Sequence, residues 1–187
     1  MNIEIISSSP RDVSVSIRVA KFLEKYFKEN SEHEIGLIDV RDWNLGLLKN
    51  VWTTIDKTPD EFKPLAKRIF AADAFIIVTP EYNGSYTPAF QNLMDHFPKQ
   101  SRKSFGLVTA SPGAMGGIRA SQQLLLMVPA LFGITSPHML ITPLVDKKFD
   151  EEANLIDESF RKSIDVFAKE FLWLAETINV KNTIESL

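Results

Sequence analysis

Apolar residues fall along this chain in two rhythms, short unbroken runs and longer stretches spaced at helical intervals. The unbroken runs cover residues 2–7, Glu34–Ile38, Ala74–Val78, Phe105–Ala110 and Ile134–Ile141, and they read as buried strands. Between them Val15, Val19, Phe22, Leu23, Tyr26 and Phe27 recur at helical spacing as far as Glu29. Phe62, Leu65, Ile69 and Phe70 do the same within Glu61–Ala72. Further helices are expected over Ala89–Phe97 and Ile118–Phe132, and a last one carries Phe160, Ile164, Phe167, Phe171, Leu174 and Ile178 in register, with a frayed tail after Asn179. Strands alternating with helices predict an α/β three-layer sandwich around a five-stranded parallel sheet in the order 2-1-3-4-5. Pro137 puts the fifth strand at an edge or kinks it.

Two segments depart from this rhythm. Residues 41–59 carry Trp43, Leu45, Leu47, Leu48, Val51 and Trp52 among polar residues, so the segment is expected to pack on the body and plug the edge of the core. A lid or a subunit contact is the alternative. The run Leu124–Phe132 is apolar all round, whereas a helix on the outside of a sheet needs one apolar face, which predicts a second partner surface and hence a homodimer.

Composition narrows the chemistry. With 187 residues, 44% of them hydrophobic, the chain is expected to form one domain over residues 1–187. A net charge of −3 without a Lys/Arg cluster argues against nucleic acid and anionic membranes as partners. The absence of cysteine excludes disulfides, thiolate nucleophiles and Cys-ligated metals, so any redox chemistry belongs to an organic cofactor or a metal held without Cys. His33, His96 and His138 lack ligand spacing, and no metal site is expected. The N-terminus lacks the basic start and long apolar run of a secretory signal, and Leu124–Ile134 is broken by Pro129 and too short to span a bilayer. A cytoplasmic protein is expected.

The candidate chemistry lies in three loops, after strands one, three and four, which the expected strand order makes neighbours. The first, Ser7–Ser16, offers hydroxyls and the Arg11 guanidinium ahead of a helix N-terminus, a place suited to a phosphate; alternatively Ser14 or Ser16 simply caps the helix. It is neither a GxGxxG fingerprint nor a Walker A loop. The second, Thr79–Pro88, is framed by Pro80 and Pro88 with Gly84 between them. The third, Ser111–Gly117, carries three glycines that let a ligand approach the backbone or serve only as turn residues. A phosphate end, a planar ring and close backbone approach fit a mononucleotide such as FMN.

These loops resemble those of the NADPH-dependent FMN reductase family, which includes azoreductases and quinone or chromate reductases. The likeness rests on Ser9-x-Arg11-x-x-Ser14-x-Ser16, on Pro80-Glu81-Tyr82-Asn83-Gly84-Ser85 with Asn92 and Asp95, and on Ser111-x-Gly113-x-x-Gly116-Gly117-x-Arg119-Ala120. Ser8, Val13, Ser16, Thr87 and His96 depart from the family's usual residues. The resemblance implies a flavodoxin-like fold and FMN as cofactor. It implies NADPH or NADH as co-substrate and a ping-pong hydride relay to a small-molecule electron acceptor, with a homodimer or a dimer of dimers. Ser9, Arg11, Ser14 and Ser16 would then hold the phosphate. Pro80, Glu81, Tyr82 and Asn83 would line the ring, Ser111, Gly113 and Gly116 would close its other edge, and no side chain would act as catalyst. Asn92, Asp95 and Arg119 are expected to brace loops or an interface. Arg119 lies in the first turn of a helix, where the dipole disfavours a cation, so it needs an acidic partner such as Glu81 or Asp95. An electron carrier or flavin-binding regulatory module without NAD(P)H turnover is the alternative reading.

Overall fold

In the computed structural model the backbone is described for residues 1–185 and the side chains for residues 1–179. The chain runs β1 (Asn2–Ser7), α1 (Ser16–Asn30), β2 (Glu34–Asp39), α2 (Lys63–Ala71), β3 (Ala74–Thr79), α3 (Pro88–Asp95), β4 (Ser104–Ser111) and α4 (Ile118–Ala130). It continues through β5 (Ile134–Thr135), β6 (Leu140–Pro143), α5 (Val145–Lys148) and α6 (Arg161–Glu185). The sheet is parallel in the order β2-β1-β3-β4-β5, with β6 also paired to β4. The expected order is therefore present.

Both faces of the sheet are covered. Ile76 and Val78 of β3 point into a cluster shared with Val19, Leu23 and Phe27 of α1 and Ile164, Phe167 and Phe171 of α6. Phe75 and Ile77 point the other way, toward Leu65 and Ile69 of α2, Phe90 of α3 and Leu124 of α4. Successive residues of a strand face opposite sides, so a strand buried on both sides must be apolar throughout. All six residues of β3 are buried. The register pairs Ser7 with Val78 and Val78 with Val108, so β1, β3 and β4 end nearly level and their loops open at one edge.

The expected fifth strand is two. Ile134–Thr135 pairs with the start of β4 and Leu140–Pro143 with its end. Pro137 lies in the gap, where it has no N–H to give a ladder, and the chain leaves the sheet between the two pieces. The four-residue helix α5 has no counterpart in the sequence pattern. Helix α6 extends past Asn179 to Glu185, across most of the expected frayed tail, and the last two residues lie outside those described. No helix among the described residues is long and apolar enough to cross a membrane.

Residues 41–59 are pinned by Trp52. Its buried indole stacks on Phe62 at 5.1 Å and meets Phe97 at 5.5 Å and His96 at 4.5 Å, and the Trp52 backbone N–H donates to the His96 carbonyl at 2.7 Å. The Asn92 amide donates to the Gly46 carbonyl at 3.0 Å, so Asn92 braces this same segment. Leu47, Leu48 and Val51 stay exposed. Replacing Trp52 with alanine should cost about 3–5 kcal/mol, the usual range for emptying a buried aromatic site. Urea unfolding followed by far-UV circular dichroism checks this, and a loss below about 1 kcal/mol would mean that the segment is not anchored there.

Candidate active site

The first loop leaves β1 at Ser7 and enters α1 at Ser16. No side chain caps that helix, so neither Ser14 nor Ser16 plays the capping part. The N–H groups from Arg11 to Ile17 have no acceptor among the described residues, which leaves a row of donors beside the positive end of a helix. Ser9 and Ser16 are buried. Ser16 Oγ lies 3.0 Å from Ser14 Oγ, and Ser9 Oγ lies 3.4 Å from the Tyr82 hydroxyl. Ser8 Oγ is fully buried with no partner among the described residues. From the end of β2, Asp39 holds the Arg41 guanidinium and raises its pKa, and Arg41 Nη1 donates to the Asp12 carbonyl at 3.1 Å. Arg41 thus ties down the tip of the first loop.

The second loop contains a tight hairpin. Tyr82 N–H donates to the Ser85 carbonyl at 2.8 Å, and Ser85 N–H donates back to the Tyr82 carbonyl at 3.1 Å. Asn83 and Gly84 between them have φ of 52° and 83°, the positive pair that a type I′ turn requires and an Asn-Gly dipeptide favours. Asn83 is exposed at its tip. Thr87 caps α3 by accepting from Phe90 N–H, and its hydroxyl donates to the Ser8 carbonyl at 2.6 Å. Pro88 therefore occupies the first helical turn, where its missing N–H costs nothing. Tyr86 donates to Gln91, and Gln91 donates to Asp95 at 2.7 Å, so Asp95 braces the loop through two side chains. Burial, with the Asp95 charge adding to it, holds the Tyr86 hydroxyl above the usual phenol pKa.

In the third loop Gly113 N–H donates to Ser111 Oγ at 3.0 Å and Thr109 Oγ1 donates to the Gly116 carbonyl at 2.7 Å. Gly116 is buried with φ of 61°, and a Cβ there would stand 2.7 Å from the Pro143 nitrogen on β6. Its glycine is demanded by packing against β6. Gly117, with no side chain to offer, caps α4 in the left-handed conformation. The carboxylate α4 needs comes from the second loop: Glu81 Oε2 accepts from Arg119 N–H and Oε1 from Arg119 Nη1, both at 3.1 Å. Of the two acids expected to partner Arg119, the structure selects Glu81.

The three loops enclose a cavity of about 280 Å³ lined by Ser9, Arg11, Ser14, Ser16, Pro80, Glu81, Tyr82 and Ser111. Val13, Val15, Ala110 and Pro112 complete its wall; these apolar positions carry no chemistry that a sequence pattern displays. Three expected positions are not on the wall: Asn83 occupies the turn tip, Gly113 is exposed beyond Ser111, and Gly116 faces β6. The Arg11 guanidinium lies 4.6 Å above the Tyr82 ring, which joins the first and second loops across the mouth. Among the described residues no group of three or more His, Asp or Glu side chains could hold a metal ion. A larger cavity of about 410 Å³, between α1 and α6 beside Phe22, Tyr26, Arg161 and Asp165, touches none of these loops.

Solved structures share this architecture. The flavoenzyme NAD(P)H:(acceptor) oxidoreductase FerB from Paracoccus denitrificans superposes with a TM-score of 0.75 at 20% identity, over 94% of this chain and 97% of its own. A flavodoxin variant from Pseudomonas aeruginosa does so with a TM-score of 0.55 at 18% identity, over 96% and 97%. The fold is thus flavodoxin-like. In sequence, an FMN-dependent NADPH-azoreductase of Staphylococcus aureus is 29% identical over 177 residues, 90% of this chain and 92% of the relative. Residues 1–144 match the family of NADPH-dependent FMN reductases, and the chain belongs to that family. It is an enzyme, with the FMN and NADPH dependence by which the family is described.

Because Gly116 combines a left-handed backbone with a Cβ position already taken by β6, Gly116→Ala should destabilise the fold by roughly 2–4 kcal/mol. Thermal unfolding measures it, and an unchanged midpoint would return Gly116 to a ligand-facing role.

Proposed function

We propose that the chain is an FMN-dependent NAD(P)H oxidoreductase that holds the flavin in the cavity between the three loops and reduces a small acceptor by a ping-pong relay. The observation that carries this is the unclaimed row of N–H donors from Arg11 to Ile17, set beside the Ser9, Ser14 and Ser16 hydroxyls and the Arg11 guanidinium of the cavity wall. Such a donor set fits a phosphate dianion. Pro80, Glu81, Tyr82 and Ala110–Pro112 also line the cavity, and the flavin ring would lie among them.

The bound flavin would supply the hydride and electron-transfer chemistry. The protein's part is binding, orientation and charge. Arg11 would leave the Tyr82 ring for the phosphate: a cation over an exposed aromatic is worth about 0.5–1 kcal/mol, whereas a hydrogen bond to a charged group is worth about 1.5–3 kcal/mol. Tyr82, freed of the guanidinium, would then wall the ring. Backbone N–H groups of the second loop would stabilise negative charge on the reduced ring without any side-chain acid.

Acceptor range follows from the same picture: with no side chain needed as acid, quinones, flavins and azo compounds are all candidates, the last in keeping with the staphylococcal relative's name. A homodimer in the cytoplasm is the assembly we favour. Leu126, Phe132 and Ile134 leave an apolar patch along and just beyond α4, although Leu124, Met127, Val128 and Leu131 of that run are spent on the core.

Purified protein should be yellow, bleach with NADPH in the absence of oxygen on the timescale of turnover, and regain colour on adding a quinone. Slow or absent bleaching would favour a carrier of electrons that does not turn over NADPH. Arg11→Ala should weaken FMN binding by about 10- to 100-fold, the loss of one charge-assisted contact, as read from flavin fluorescence on titration. Unchanged affinity would remove Arg11 from the phosphate site.

A further inference from the structure

The wall of the cavity is held from outside it. Helix α4 opens on Gly117, which has no side chain to serve the Arg119 N–H, and Arg119 itself is a cation in a first turn where the helix dipole is already positive. Both deficits are met by one carboxylate from another loop. Glu81 accepts from the Arg119 backbone N–H and from its guanidinium, with its own side chain largely buried at 16% exposure against 66% for Arg119. The stem of Arg119 continues past the hairpin: its Cδ lies at van der Waals distance, 3.9 Å, from where a Cβ on Gly84 would stand. Glu81, meanwhile, lines the cavity next to Tyr82.

We infer that Arg119 is a positioning residue that clamps the Tyr82–Ser85 hairpin to the start of α4 and neutralises Glu81 beside the flavin ring. The inference rests on the ring lying in the cavity as proposed above. Two consequences separate the clamp from an ordinary surface ion pair. Mechanically, the hairpin amides should open more readily once the guanidinium is gone. Electrostatically, the pair should govern the charge next to the flavin: Glu81 without Arg119 leaves a net negative charge that makes the reduced ring harder to form, and Arg119 without Glu81 leaves a net positive charge that makes it easier.

The test uses Arg119→Met, Glu81→Gln and the double variant in the full chain. Arg119 is mostly exposed, so its replacement leaves the core untouched. In protein stripped of flavin, hydrogen exchange at the Tyr82 and Ser85 amides should be about two- to fivefold faster in Arg119→Met than in the wild type, the size expected for losing one partly exposed ion pair while the backbone cap stays. With FMN added, the midpoint potential of the bound flavin should fall in Arg119→Met, rise in Glu81→Gln and return close to the wild-type value in the double variant. Unchanged exchange overturns the clamp. Single variants that shift the potential in the same direction, or not at all, overturn the electrostatic role. A wild-type protein that binds no flavin overturns the reading of the cavity and that electrostatic role with it, while the exchange rates, read without flavin, still decide the clamp.

Discussion

A strand buried on both faces can give its backbone polar groups only to its two neighbours, and β3 is such a strand. Its six apolar residues leave it no stable place except the middle of a covered parallel sheet, paired with β1 on one side and β4 on the other. Parallel pairing in this register brings the carboxyl ends of three strands to one level, so three strand-to-helix loops must share a single crevice. The cavity is thus a consequence of how β3 is buried. No residue of the cavity wall is needed to create it; those residues decide what it accepts.

The loops are also tied to one another, each by a group that does a second job. The Thr87 hydroxyl caps α3 and holds the Ser8 carbonyl of the first loop, and Arg41 anchors the first loop at Asp12 while it neutralises Asp39. Glu81 lines the cavity and caps α4. An exposed ion pair on its own contributes little, about 0–1 kcal/mol. Here the Arg119 contact gains from geometry, because the same carboxylate also satisfies a helix N–H that Gly117 cannot serve. Local deficits in one loop are met by side chains from another, and this makes the three loops one structural unit.

How much of this a reader of the sequence sees depends on the range of the interaction. The strands and long helices show themselves because burial on one or both faces imposes a period on the chain, and Pro137 marks the place where the fifth strand breaks. Asn83-Gly84 is equally legible, since its dipeptide names its turn. The need of Arg119 for an acid is also readable from its place in a first helical turn, although only coordinates choose between Glu81 and Asp95. Gly116 is different. A glycine wanted for close approach of a ligand and one wanted for a left-handed backbone against a neighbouring strand look the same in sequence. The link from Arg41 to the Asp12 carbonyl spans 29 residues and uses a backbone acceptor, so no pattern records it. The four-residue α5 is shorter than the period that would announce it.

The contact between Arg11 and Tyr82 bears on how such a site stays both open and selective. A guanidinium resting on the ring face covers apolar surface that water would otherwise meet, and it keeps the cation near the row of N–H donors. The resting contact is weak, about 0.5–1 kcal/mol at an exposed site, so it holds Arg11 in place without competing seriously with a dianion. A ligand with a planar ring but no phosphate would have to displace the guanidinium and offer it nothing. A ligand with both would give Arg11 a stronger partner as it took over the ring face. In the proposed mode of binding, selection for a phosphorylated flavin over the bare ring system would arise from Arg11, which would leave the Tyr82 ring face as the flavin took it.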